Sequence, residues 1–193
     1  MFAKTADFAK IGHMKITTIA FTVFMTLILA PQFGATADFE KGLKAAQKGD
    51  YRTAIREWEP LAEDGSAIAQ SNLGLVYRLG QSVDKNIVTA IKWYTLAAEQ
   101  GYAEAQSSLG LMYLNGEGVL RDFQKALKWY TLAAEQGDAD AQYNVGTMYD
   151  KGLGVDQNYA VAAEWYRLSA EQGIAFSQYC LLYTSPSPRD VEE

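Results

Sequence analysis

A single cysteine, Cys180, is all the thiol chemistry that these 193 residues contain. One cysteine closes no disulfide within the chain and builds no cysteine-based zinc site. The only histidine, His13, lies upstream of what reads as an export signal, so the expected mature chain has none. Ser-His-Asp and Cys-His constellations therefore cannot be assembled, and histidine metal sites go with them. No block of five or more Lys/Arg occurs and the formal net charge is −6, so the electrostatic footprint of a nucleic-acid binder is missing. Carboxylate chemistry would need converging Asp and Glu, whereas the acidic residues are scattered at helix starts and exposed positions. Asp138 and Asp140 bracket one such start and read as favourable charge at a helix N-terminus. "GEGVLRD" and "GLGVDQN" carry glycines but no P-loop Lys-Ser/Thr and no preceding strand, which makes them turns. The inventory predicts no enzyme, no cofactor and no metal site.

What is present is a folded-protein composition, 49% apolar and 21% charged, behind an address. From Met14, Lys15 supplies a short basic segment and Ile16 to Ala30 an apolar run of 15 residues. That run is shorter than the roughly 20 residues of a spanning helix. Ala35-Thr36-Ala37 is a small-x-small cleavage pattern, predicting a signal peptide over 1–37 cut after Ala37, with an uncleaved anchor as the alternative. Met14 is a candidate true start, and no cysteine follows the run to carry a lipid.

Self-similarity dominates the rest. "KWYTLAAEQG" occurs at 92–101 and again at 128–137, with "EWYRLSAEQG" at 164–173. Trp93, Trp129 and Trp165 are 36 apart, and Gly74, Gly110 and Gly146 keep that step. So do Gln70, Gln106, Gln142 and Gln178. A fixed period of this length is the mark of a stacked helical array. Each unit reads as helix A, with apolar residues such as Ala105, Leu109, Met112 and Tyr113 at 3–4 spacing, followed by helix B. Asp50, Asn86, Asp122 and Asn158 are predicted N-caps of the B helices, which Gly65, Gly101, Gly137 and Gly173 close. Glycine inside helix A costs about 1 kcal/mol against alanine, so its recurrence implies close approach of a neighbouring helix. The Trp and Tyr stripe of helix B reads as core packing.

"AEAQSSLGLMYLNGEGVLRDFQKALKWYTLAAEQG" resembles the Sel-1-like repeat, a relative of the tetratricopeptide repeat with a longer inter-helix loop. The resemblance covers about Ala67 to Gln178, and "GDYRTAI" makes 38–66 similar to an ordinary tetratricopeptide unit. It departs at Gln81-Ser82, where the second loop glycine is replaced, and at Asn86 and Asn158, where Asp is usual. It implies an all-α, right-handed α-solenoid of helix-turn-helix repeats with period 36. The units run 38–66, 67–102, 103–138 and 139–174, with a truncated repeat starting at 175–179.

Stacked helix pairs curve, and the family's partners dock on the concave, helix-A side. Carried over by position, the groove-facing residues are Ile68, Ser71, Leu75 and Arg78, then Glu104, Ser107, Leu111 and Leu114, then Asp140, Tyr143, Thr147 and Asp150. The expectation is a non-catalytic, periplasmic or secreted scaffold binding a protein or peptide, not nucleic acid, touching the membrane only through an uncleaved signal peptide. A cell-wall or polysaccharide-binding module is the alternative. Cysteine-rich relatives reported as β-lactamase-like hydrolases resemble the chain only weakly, because they carry paired cysteines in each repeat.

The end of the chain, "YCLLYTSPSPRDVEE", breaks the pattern: Leu182 takes the helix-A glycine position and "SPSP" follows. "CLLYTSPSPRD" is also one reading frame of a transposase adapter used in short-read library preparation. Residues 180–193 are therefore expected to be non-native, with the natural gene continuing past Tyr179.

Overall fold

The computed structural model describes residues 38–184. The signal-peptide expectation, His13 and the "SPSP" segment lie outside the described residues. Nine helices follow one another and no strand occurs among the described residues. They are α1 (38–47), α2 (Tyr51–Glu63), α3 (Ala67–Leu79), α4 (Ile87–Glu99), α5 (Ala103–Asn115), α6 (Phe123–Glu135), α7 (Ala139–Lys151), α8 (Tyr159–Glu171) and α9 (Ala175–Thr184). The helices from α2 to α8 are each 13 residues long. Each packs chiefly on its neighbours in sequence, which is the one-dimensional contact pattern of a solenoid.

Local chemistry sets the boundaries. The side chains of Asp50, Asn86, Asp122 and Asn158 accept from Thr53 N, Thr89 N, Lys125 N and Val161 N at 3.1, 3.0, 2.9 and 3.1 Å. Each satisfies an otherwise orphaned donor in the first turn. Gly80, Gly116 and Gly152 end α3, α5 and α7 in the left-handed conformation. The long A-to-B loop is pinned identically in three repeats: Asn86 N, Asp122 N and Asn158 N donate to the carbonyls of Tyr77, Tyr113 and Tyr149 at 2.9, 3.0 and 2.9 Å. Its second glycine position has positive φ throughout. Gly118 and Gly154 adopt φ 73°, and Ser82, the substitute in the first repeat, is forced to φ 59°.

Most buried apolar residues fall into three clusters that straddle the repeat boundaries, one over α1 to α3, one joining α4 to α5 and one joining α6 to α7. Tyr94, Tyr130 and Tyr166 are each about 1% exposed. Trp93 belongs to the first cluster, and Trp129 and Trp165 pack back onto the second and third. At the leading end, the Trp58 indole stacks on Phe39 at 6.0 Å between centroids and donates to the Phe39 carbonyl at 3.2 Å.

The helix-A glycines do make room for the neighbouring helix, and what enters first is an aromatic ring, joined at Gly146 by the Ala162 carbonyl. A Cβ on Gly74, Gly110 or Gly146 would stand 2.8 Å from the ring of Tyr94, Tyr130 or Tyr166.

A second device joins the repeats through glutamines. Gln70, Gln106 and Gln142 donate to the carbonyls of Ala62, Ala98 and Ala134 at 2.8, 3.1 and 3.2 Å. Their side-chain oxygens accept from Gln100, Gln136 and Gln172 at 2.8, 2.7 and 2.8 Å. Every amide in this ladder has a partner, so burying three glutamines carries little desolvation cost. At the far end α9 continues as helix through Thr184, five residues past the expected break at Tyr179, and Leu182 is exposed.

Candidate partner-binding groove

Once its ring lies against a glycine, each helix-B tyrosine sends its hydroxyl between two A helices toward their outer face. There the three repeats differ. Tyr166 donates to Thr147 Oγ1 at 3.2 Å, and Thr147 donates on to the Tyr143 carbonyl at 3.0 Å. The position of Thr147 is occupied by Leu75 and Leu111 in the earlier repeats, neither of which can bond a phenol. The hydroxyls of Tyr94 and Tyr130 are accordingly buried without a hydrogen-bond partner. Tyr94 lies within the influence of Ser108 and Arg78 yet makes a well-formed bond with neither. Burial pushes the Tyr130 hydroxyl well above the ordinary tyrosine range, with Arg78 opposing and Asp138 adding to the shift. Burial raises Tyr166 in the same direction, its bond to Thr147 opposing.

Above Tyr130 is a depression of about 270 Å³, lined by Glu104, Ser107, Ser108 and Leu111 of α5 and by Asp138, Asp140 and Asn144 at the start of α7. Its charged groups are all carboxylates. Asp138 caps α7, accepting from Ala141 N at 2.7 Å. Glu104 accepts from the Tyr102 hydroxyl at 3.2 Å. Asp140 is exposed and makes no ion pair among the described residues.

The expected groove residues are distributed as follows. Glu104, Ser107, Leu111 and Asp140 come together in this depression. Tyr143 stands beside it, its ring 5.9 Å from Tyr166 and 6.2 Å from Phe176. Ile68 and Leu75 are exposed, while Thr147 and Asp150 are half-buried. Leu111 and Leu114 also pack partly against the cluster that joins α6 to α7, so they are shared between surface and core. Ser71 is a correction: at 3% exposure it is buried and offers a partner nothing. Ser107, the same residue at the equivalent position, is half-buried and lines the depression, so burial here follows the local packing of α3 and not the residue type. Arg78 is committed as well, pairing with Glu117 of the next repeat at 2.9 Å, and Lys85 reaches the other oxygen of Glu117 at 3.6 Å.

Sequence reasoning missed Ser108, Asp138 and Asn144 as lining residues, and it read the tyrosines purely as core. The available signal was the change from Thr147 to Leu111 opposite an unchanged tyrosine. Among the described residues no group of three His, Cys, Asp or Glu is placed to hold a metal ion. None of their helices is long and apolar enough to cross a membrane.

Helical hairpins stacked with a constant step, joined by a glutamine ladder and open along their A helices, define a repeat solenoid of the kind that commonly serves as a protein-interaction scaffold. The Sel1 repeat model matches residues 67–102, 103–138 and 139–174, more than half of the chain, and the chain belongs to the Sel1-repeat family. No curated protein matches it. Among solved structures it is similar to a protective antigen of uropathogenic Escherichia coli with an SLR fold, at 38% identity and TM-score 0.74, over 79% of this chain and 33% of that one. The chain thus spans about a third of that relative's length. It is also similar to a Sel1 repeat protein from Oxalobacter formigenes, at 36% identity and TM-score 0.63, covering 67% of this chain and 97% of that one. Helicobacter pylori cysteine-rich protein B shares the fold, at 22% identity and TM-score 0.54, over 66% and 92% of the two chains.

Proposed function

We propose that the chain is a non-catalytic scaffold of the bacterial envelope, exported to the periplasm or beyond by its N-terminal segment. In this reading it holds a protein or peptide partner along the outer faces of α3, α5 and α7. The observation that carries it is the depression between α5 and α7, where side chains from two repeats converge over a buried phenol that has no hydrogen-bond partner. The similarity to a protective antigen supports a location at or beyond the envelope, as does the 15-residue apolar run ending before Ala35-Thr36-Ala37. Photo-crosslinking in the native cell tests the reading. A benzophenone residue at Ser107 or Asn144 is expected to trap a discrete partner, and one at exposed Lys128 of α6 is not. Equal adducts from both faces, or none from either, would sink it.

A second reading, a glycan-binding module, is favoured by one feature: the half-buried Tyr143 ring lies 6.2 Å from the exposed ring of Phe176, giving aromatic surface of the sort on which sugar rings stack. It predicts sedimentation with purified cell-wall sacculi that is lost in Tyr143→Ala.

A further inference from the structure

The depression between α5 and α7 has a one-sided chemistry. Glu104, Asp138 and Asp140 line it, and no Lys or Arg does. Arg78, whose charge reaches its floor, is paired with Glu117. At the bottom sits Tyr130, only 1% exposed, whose hydroxyl has no partner of its own. A buried hydroxyl without a partner is unfavourable, so this floor is incomplete until an arriving group bonds to it. At about 270 Å³ the space falls just under the roughly 300–1,000 Å³ of small-molecule sites. It suits the end of one long side chain.

We propose that this depression receives the charged end of a Lys or Arg side chain carried by an extended partner segment, an inference that rests on the partner-binding reading above and names the partner's chemistry. The ammonium or guanidinium donates to the carboxylates of Glu104 and Asp140, and one further N–H reaches the Tyr130 oxygen. Asp138 contributes charge while its Oδ1 continues to cap α7. Ser107 and Ser108 flank the methylene stem. Charge-assisted bonds of this kind are about twice as strong as neutral ones, and burying part of the stem adds apolar contact.

The test is selection of a random decapeptide display library on the immobilised full chain, followed by titration calorimetry of the enriched peptides. The expected result is a Lys or Arg at one fixed position of the enriched set. Replacing it with glutamine or citrulline should weaken binding at least five-fold against the unaltered protein. Against the Glu104→Gln/Asp140→Asn double variant the same replacement should change binding less than two-fold. Both side chains are exposed, so circular dichroism should show the variant fully helical. Tyr130→Phe gives a second readout, reducing affinity for the basic peptide and leaving that for its citrulline analogue unchanged. Enriched peptides without a conserved basic residue, or a charge dependence that survives in the double variant, overturn this inference and leave a peptide-binding groove standing. Enrichment of nothing overturns the partner-binding reading and this inference with it.

Discussion

Replacing Gly110 with alanine sets two known effects against each other, and the structure decides between them. Alanine in a helix interior is favoured over glycine by about 1 kcal/mol, so propensity alone makes Gly110→Ala stabilising. The added Cβ would lie 2.8 Å from Cγ and Cδ1 of Tyr130, against the roughly 3.5–4.0 Å of an optimal carbon contact. These atoms are the root of the ring, fixed by the α6 backbone, and cannot swing aside as the tip of a lysine could. Tyr130 is itself buried in the α6–α7 cluster. Overpacking of this sort costs about 1–3 kcal/mol, and contact with a ring root belongs in the upper half of that range. The net expectation is a loss of about 1–2 kcal/mol, measured as a lower urea midpoint by far-UV circular dichroism at unchanged slope. Tyr130→Leu removes the ring, so Gly110→Ala added to it should be neutral or stabilising, with a coupling of at least about 1 kcal/mol. Stabilisation by the single variant, or additivity in the cycle, would refute the account of why glycine recurs at this position.

Three further outcomes follow from local differences between repeats. Ser169 and Ser177 are fully buried where the two preceding repeats have the alanine pairs 97/105 and 133/141; Ser177 donates to Ser169 at 2.7 Å and Ser169 to the Ala139 carbonyl at 2.8 Å. Ser169→Ala therefore strands the Ser177 hydroxyl and should cost about 1–3 kcal/mol, while the double alanine variant recovers most of that loss in a thermal melt; equal stability of the two disproves the coupling. Ser82 is a non-glycine residue at φ 59°, and Ser82→Gly should gain roughly 0.5–1 kcal/mol in denaturant titration by relieving the left-handed penalty, a loss being the contrary result. Burial holds the Tyr130 hydroxyl protonated in the folded state, so its contribution to stability is complete below about pH 10, the ordinary tyrosine value, and declines as pH rises above it. Tyr130→Phe should accordingly flatten the fall in unfolding free energy between pH 9.5 and 11, and an unchanged slope would contradict the linkage.

The sequence made the architecture legible because a repeat states each rule several times. Asn at 86 and 158 in place of Asp does not obscure a cap, since either side chain accepts the same first-turn N–H. The glycine column announced a close approach, although not that a ring from helix B filled it. The groove was less legible. Position counting treats 71, 107 and 143 as equivalent, but Ser71 is buried while Ser107, the same residue one repeat on, lines the depression, so exposure there depends on neighbours that the sequence does not place. Arg78 reads as a free cation only until Glu117, 39 residues on, is brought against it. The glutamine ladder was visible as two columns of glutamine, yet only the superhelical stacking shows that residues 30 apart in sequence bond to each other.

One contact links stability and recognition in this chain. The tyrosine ring that requires glycine in helix A is held by the fold and is the same in all three full repeats. Its hydroxyl, however, is delivered toward the outer face, where what it meets differs from repeat to repeat. Thr147 occupies the hydroxyl of Tyr166 from within the repeat, whereas Leu111 leaves that of Tyr130 unsatisfied beneath a ring of carboxylates. The difference between a closed floor and an open one is thus about one hydrogen bond, roughly 1 kcal/mol net, and requires no change in backbone. An array built this way can alter what its outer face offers repeat by repeat through surface substitutions, while the glycine, the tyrosine and the glutamine ladder keep the stacking constant.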